Sequence, residues 1–262
     1  MNQRMIFGLG SGRSGTMSLA NLLNRMPEVV CFHESNPSGM AWSGSERTVQ
    51  SILNDFELIL SGGSRGICLD LTLSRRAERD EALRKLDTLT RIEAVCDVAS
   101  YYLPYVEFIL SRQPKAVFPC LKRNREDTIN SFIKKVALPP QRPSKSDSIK
   151  AALGMPPKPR PISRNHWLDH DGSEWSIDRK WDKCFPKYEA ELSLREAVSR
   201  YYDDYYNAAR KLEKRHPAAV KIFDLEALND PVGQSEILDF CRVSQRNPFE
   251  PSHINKGQKQ TS

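Results

Sequence analysis

At 262 residues, 39% hydrophobic and 27% charged, the chain has the size and make-up of one domain with an ordinary buried core. Its net charge of +6 is too modest to point to nucleic acid, and either solubility or attraction of an anionic ligand accounts for it. No run reaches the roughly 18 to 20 apolar residues of a membrane span, and Met1-Asn2-Gln3-Arg4 leads directly into the first apolar run, so a cytoplasmic protein with no membrane span is expected.

The first predicted elements are a strand over 5–10 and a helix over 15–26, whose apolar positions are Leu19, Leu22, Leu23 and Met26. Between them lies a loop containing Gly8, Gly10, Gly12 and Gly15. A glycine-rich loop at a helix N-terminus directs backbone N–H groups and the positive end of the helix dipole at one point, where an anion is the natural ligand. Three readings compete. A Walker A loop needs Lys then Ser/Thr directly after its closing glycine; Gly15 is followed by Thr16 with no lysine, which argues against an ATPase or GTPase. Gly10-Ser11-Gly12-Arg13-Ser14-Gly15 satisfies G-x-G-x-x-G, and Glu34 ends the next apolar run about where a ribose-binding acid would stand, so a dinucleotide site is a real rival. In the third reading Arg13-Ser14-Gly15-Thr16 is the working part, with the Arg13 guanidinium a fixed cation for a phosphate or sulfate oxygen.

Further along, the pattern predicts a strand over 29–33, a helix over 46–60, strands near 65–70 and 92–97, a helix over 101–112 and a strand over 116–122. A helix over 125–137 follows, with Ile129, Phe132, Ile133 and Val136 as its apolar stripe. Arg123, at the preceding strand end, offers paired donors to a phosphate, and Ser131 lies off the stripe, free to add a hydroxyl. A dinucleotide fold does not require this pair.

From Leu138 to about Tyr188 the chain reads as irregular. Residues 138–164 hold seven prolines and six Lys/Arg against one acid, Asp147, and then His166, Trp167, Trp175, Trp181, Phe185 and Tyr188 make the stretch aromatic. A surface excursion pinned by tryptophans and a lid over an active site are both open readings; aromatic faces with nearby Lys/Arg would suit a sugar or a flat aromatic acceptor. Regular structure resumes with a helix over 192–215, a strand over 219–224 and a helix over 232–242. Tyr201, Tyr202 and Tyr205, with Val198 and Leu212, form an apolar helical stripe read as core packing. The six cysteines (31, 68, 96, 120, 184 and 241) are scattered without C-x-x-C or His/Cys spacing, so reduced core thiols are expected and no metal is implied. The alternation of strands and helices predicts an α/β fold, a three-layer sandwich with a mostly parallel central sheet, as one domain over 1–262 with 138–190 as an insertion or lid.

The two phosphate-type motifs together resemble the sulfotransferase family, whose members move the sulfuryl group of 3'-phosphoadenosine 5'-phosphosulfate (PAPS) to an acceptor hydroxyl or amine. Arg13-Ser14-Gly15-Thr16-Met17 is similar to the family's basic-Ser-Gly-Thr-Thr loop, departing at Met17, and Arg123 with Ser131 eight residues on matches its 3'-phosphate clamp. The Val220–Pro231 segment resembles the family's late strand and Asp-Pro turn, and Ser252–Gly257 its C-terminal basic-Gly loop. The resemblance implies a P-loop-like nucleotide-binding fold with PAPS as donor, adenosine 3',5'-bisphosphate (PAP) as product, and no metal. It implies a cofactor shell of Gly12, Arg13, Ser14, Gly15, Thr16, Met17, Ser18, Arg123, Ser131, Lys256 and Gly257. It also implies a catalytic base in Glu34, 21 residues after Arg13, the offset of the catalytic glutamate in tyrosylprotein sulfotransferases and their relatives. His33 is the alternative base, expected to face away from the loop because strand neighbours alternate. Asp97 and Ser100 are implied as acceptor-facing. The acceptor would be a small molecule or a glycan-like compound. The rivals are an NAD(P)-dependent Rossmann oxidoreductase and a nucleotide-binding module without turnover; the oligomeric state is left open.

Overall fold

The computed structural model describes residues 3–35, 45–62, 76–137, 153, 162–164, 174–178, 183–186 and 192–243. Among the described residues five parallel strands form the central sheet: β1 (Arg4–Gly8), β2 (Val29–His33), β3 (Ala94–Val98), β4 (Phe118–Lys122) and β8 (Val220–Asp224). β3 lies between β1 and β2, with Ile6 and Cys31 both opposite Cys96, and β4 pairs with β8 through Cys120–Ile222. β1 joins β4 through parallel bridges at Ile6–Val117 and Leu9–Cys120. Val117 N–H donates to Met5 C=O (3.2 Å), Phe7 to Val117 (3.0 Å), Leu9 to Pro119 (2.8 Å) and Leu121 to Leu9 (2.9 Å). The rung absent from this ladder is the one Pro119 would donate to Phe7, because proline has no N–H. The spatial order is therefore β2-β3-β1-β4-β8.

Alternation along the strands divides the core between two faces. Ile6, Val29, Cys31, Cys96 and Val98 face α1 (Thr16–Asn24) and α7 (Pro231–Phe240), through Leu19, Leu22, Leu23, Ile237 and Leu238. Phe7, Val30, Phe32, Val95 and Phe118 face α2 (Glu46–Leu60), α4 (Val106–Arg112), α5 (Arg125–Ala137) and α6 (Leu194–Arg215). The fold is the three-layer α/β arrangement expected, with a parallel sheet covered on both faces. Start signals in the sequence act where they stand. Ser45 accepts from Thr48 N–H (3.2 Å), Ser193 and Glu196 form a capping box, and Asp230 accepts from Gly233 N–H (2.8 Å) with Pro231 in the first turn.

Three departures from the sequence expectations have physical causes. Between the strands near 70 and 92 no helix was expected, yet α3 spans Arg76–Thr88. Its sequence is dominated by charge, and among its described side chains Ala82 and Leu86 are buried in the core with Leu83 packed against it, too little to show a stripe. The chain recovers stability elsewhere: Lys85 Nζ donates to the C=O groups of Asn24, Met26 and Val29 (2.5, 2.7 and 2.6 Å), closing the C-terminal end of α1 with a cation. The helix expected over 101–112 opens as a 3₁₀ segment, Ser100–Tyr105, and becomes α only from Val106, because Pro104 cannot donate to the preceding turn. The stretch read as irregular contains an antiparallel sheet, β5 (Ile162–Arg164), β6 (Glu174–Asp178) and β7 (Lys183–Pro186), with Trp175 opposite Ser163 and Pro186. Strands of three to five residues among prolines lack the length for a clear alternating pattern. The strand expected near 65–70 and the tail with Lys256 and Gly257 lie outside the described residues, as does most of 138–190. Cys31, Cys96, Cys120 and Cys241 are buried free thiols. Among the described residues no helix is long and apolar enough to cross a membrane.

Candidate functional site

In this strand order the chain leaves β1 toward β2 on one side, while β4 and β8 lie on the other. A crevice therefore opens at the carboxyl ends of β1 and β4, the place where open α/β sheets bind ligands. Both phosphate-type motifs end there. The loop after β1 runs through three left-handed residues, Gly12 (φ 72°), Arg13 (φ 57°) and Gly15 (φ 97°). Gly15 caps α1 with no side-chain hydrogen bond, and the first turn of α1 carries no acid, so the helix offers its amides and dipole to an anion without a competing carboxylate. Glycine is required at Gly15 twice over: a side chain would be strained at that φ, and a Cβ would stand 2.3 Å from Leu225 Cδ1.

Arg13 and the second motif meet across the crevice. Arg13 Nε donates to Ser131 Oγ (3.0 Å), and Arg123 Nη1 reaches the Arg13 C=O at the 3.5 Å limit of a hydrogen bond. Arg123 also pairs loosely with Asp127, one turn into α5 (3.9 Å), and keeps about a quarter of its side chain exposed (26%). Two guanidinium groups and a hydroxyl, read from segments more than a hundred residues apart, thus share one place. Ser14, Thr16 and Ser18 are buried beneath the loop, and Met17 turns its side chain into the protein at 8% exposure.

The end of β2 differs from expectation in one respect. His33 shares its face of the sheet with Val29 and Cys31, and that is the face on which α1 lies. His33 Nε2 consequently sits 3.1 Å from Thr16 Oγ1, in the first turn of α1, instead of facing away from the loop. What the sequence could not supply was which face α1 covers. Glu34 is buried (8% exposed) in a left-handed conformation (φ 49°), with its N–H on Val98 C=O (3.1 Å).

Asp97 does not face an acceptor. It is fully buried, and its carboxylate accepts from Ser35 N–H (3.3 Å), Ser35 Oγ (2.5 Å), Tyr101 Oη (3.1 Å) and Tyr102 Oη (2.7 Å). Burial pushes this carboxyl above its ordinary value, with the bonds from Ser35 and the two tyrosines opposing the shift. Asp97 is therefore a post for the Glu34-Ser35 turn. Ser100 begins the adjoining 3₁₀ segment.

The sequence reading also missed what the hydroxyls of the α6 tyrosines do. Tyr201 donates to Ser11 C=O (2.6 Å), Tyr202 to Arg123 C=O (2.6 Å) and Tyr206 to Leu121 C=O (2.7 Å), while Tyr205 Oη accepts from Gly10 N–H (2.9 Å). The stripe is core, as expected, and it also grips both motifs. The available signal was the choice of tyrosine at all four positions, where phenylalanine would fill the same volume.

The strand order bears on the dinucleotide rival. In that fold β1 and β2 are neighbours, so that the acid ending β2 reaches the ribose of a nucleotide bound over β1. Here β3 lies between them, and Glu34 ends a strand two spacings, about 10 Å, from β1. Among the described residues no group of three His, Cys, Asp or Glu side chains is placed to hold a metal ion.

No family model matches the chain, and no curated protein matches it. Among solved structures, a sulfotransferase from Alicyclobacillus acidocaldarius is similar over 97% of this chain and 86% of its own, at 17% identity and a TM-score of 0.45. The sulfotransferase domain from the curacin biosynthetic pathway is similar over 96% of this chain and 77% of its own, at 14% identity and a TM-score of 0.45.

Proposed function

We propose that this chain is a PAPS-dependent sulfotransferase acting on a hydroxyl or amine of a small-molecule or glycan-like acceptor. The observation that carries the reading is the meeting of Arg13, Arg123 and Ser131 across the β1/β4 crevice, above a left-handed loop at a helix N-terminus. One anion would need only the loop. A second cation and a hydroxyl delivered from another strand suit a ligand with two separate anionic groups, which a 3',5'-substituted adenosine has and NAD lacks in this disposition.

The donor set fits. The first-turn amides of α1 and Arg13 would hold the 5'-phosphosulfate, and Arg123 with Ser131 the 3'-phosphate; Lys256 and Gly257 are proposed to complete the shell. The donor supplies an activated sulfuryl group. Arg13 and the loop amides stabilise negative charge growing on the departing phosphate oxygen, a task for preorganised donors. Glu34 accepts the proton of the attacking acceptor, from a position in the chain next to Ser35, which Asp97 holds. His33 in that role is a second reading, favoured by its contact with Thr16 at the loop.

Transfer of labelled sulfate from PAPS to a panel of phenols, sugars and amines, together with calorimetry of PAP and AMP, tests the proposal. PAP is expected to bind far more tightly than AMP, and transfer to at least one acceptor class is expected. Equal affinity for the two nucleotides would remove the cofactor assignment. Tight PAP binding without turnover on any acceptor would favour the non-catalytic module.

A further inference from the structure

We infer that helix α6 is a positioning element for both anion-binding motifs, acting through two columns of tyrosine phenols: Tyr201 and Tyr205 set the loop after β1, and Tyr202 and Tyr206 set the exit of β4. This rests on the PAPS reading above and adds to it the residues that space the two phosphate sites.

The phenols and the backbone they hold run in opposite order. Tyr201 and Tyr205 are four residues apart, one helical turn or about 6 Å of rise, as are Tyr202 and Tyr206. On the backbone side, Gly10 and Ser11 are adjacent in the loop after β1, and Leu121 and Arg123 flank Lys122 at the end of β4. The helix runs against the strands, so its earlier phenols hold the later backbone positions. Tyr205 takes Gly10 N–H and Tyr201 holds Ser11 C=O; Tyr206 holds Leu121 C=O and Tyr202 holds Arg123 C=O. Tyr206 also lies 3.3 Å from Ser11 Oγ, tying the two columns together.

These bonds act on the anion site, as well as filling the core. Ser11 immediately precedes the left-handed pair Gly12 and Arg13, so its carbonyl fixes the direction in which the loop turns. Arg123 is the second cation of the site, and its own carbonyl is what Tyr202 grips. Tyr201, Tyr202, Tyr205 and Tyr206 are all buried, their rings tilted or edge-on to one another at 4.6 to 6.3 Å within the stripe. Burial raises the phenol of Tyr202 to about 12 and those of Tyr205 and Tyr206 further, so all remain neutral hydroxyls over the working pH range. A phenylalanine in any of these places keeps the ring and deletes only the grip.

The division into columns gives a readout that a packing role alone does not produce. In Tyr202→Phe the arginine of the 3'-phosphate clamp loses its anchor, so affinity for PAP should fall about three- to tenfold while affinity for AMP stays, and the PAP:AMP preference shrinks by that factor. In Tyr201→Phe the common 5' site is loosened, so both nucleotides should weaken by a similar factor and the preference should hold. Isothermal calorimetry on the full chain, with thermal unfolding in parallel, measures both. Either variant decides alone if the other fails to fold. A Tyr202→Phe protein with unchanged preference, or a Tyr201→Phe protein that loses preference or binds both nucleotides normally, overturns the inference. If the unsubstituted protein shows no preference for PAP, the sulfotransferase reading is what fails; the loop column is then still judged by whether Tyr201→Phe weakens AMP.

Discussion

The crevice between β1 and β4 and the end of β2 are built in opposite ways. At the crevice the working groups are largely backbone: three left-handed residues, an uncapped helix terminus and carbonyls held by phenols, with Arg13 and Arg123 added at the rim. At the end of β2 the working groups are single side chains: Glu34, whose backbone N–H is on Val98 C=O beside a Ser35 held by Asp97, and His33, which meets the Thr16 hydroxyl of the loop. An anion is held by several donors converging on it, so loss of one should weaken binding by a limited factor without abolishing it. A proton is taken by one atom, so that site should fail at a single substitution. Binding and turnover should therefore separate along this line.

The largest effect expected is at the β2 end. Glu34→Gln keeps shape and removes the acceptor; sulfuryl transfer should fall by roughly 10² to 10⁴ with PAP affinity nearly unchanged. If instead His33→Gln produces that fall and Glu34→Gln does not, the base moves to the side chain that touches Thr16. Arg13→Ala comes next: kcat should drop by about 10² or more, as when a preorganised donor is lost, with partial recovery in Arg13→Lys. Normal turnover in the alanine variant would take Arg13 out of the mechanism and leave the crevice a purely binding region. Arg123→Ala should erase the preference for PAP over AMP, an effect of about ten- to a hundredfold on PAP alone, seen by calorimetry. An equal loss for AMP would show that Arg123 supports the loop through Arg13 C=O and does not bind a separate phosphate.

Two smaller effects concern stability. Gly15→Ala should cost about 1 to 2 kcal/mol from the left-handed backbone, a Tm shift of about 2 to 8 °C, and more if Leu225 cannot move aside. An unchanged Tm would mean that the loop relaxes freely, against the rigid crevice described above. Asp97 gives a pH signature. Burial raises its carboxyl above the ordinary 3.8, so the folded protein binds this proton more tightly than the unfolded chain does. Its contribution favours folding fully below the unfolded value and is lost as pH rises through the folded one. The stability of the unsubstituted protein relative to Asp97→Asn, from urea midpoints at a series of pH values upward from about 4, should therefore fall with pH. A difference that rises with pH would mean that the Ser35 and tyrosine bonds outweigh burial.

Much of this was legible in the chain. The G-x-G-x-x-G run after an apolar strand marked the loop, because only glycine reaches left-handed conformations cheaply, and Gly12 and Gly15 are the left-handed glycines of that loop. The resemblance picked out Arg123 and Ser131, which the fold brings beside the loop with Arg13 donating to the Ser131 hydroxyl, and the helices expected from 46, 192 and 232 begin within two residues of those positions. Less was legible where local pattern is weak or absent. The charged α3 and the short strands β5–β7 escaped notice because neither presents a long apolar period. Asp97 was placed toward an acceptor by the resemblance alone, whereas the fold surrounds it with four donor groups from Ser35, Tyr101 and Tyr102.

By itself the sequence determined the elements, the positions of the turns and the residue types able to hold an anion, since these follow from local backbone sterics, periodicity and donor chemistry. Only the tertiary structure decided who faces whom. Inserting β3 between β1 and β2 set the strand order apart from a dinucleotide fold, laying α1 over the Cys31 and His33 face brought His33 to the loop, and running α6 against β1 and β4 turned four core tyrosines into anchors. The physical reason is common to all three: a strand or helix carries its side-chain alternation in its own residues, but which face meets a partner is fixed by contacts between segments distant in sequence, and no local pattern encodes them.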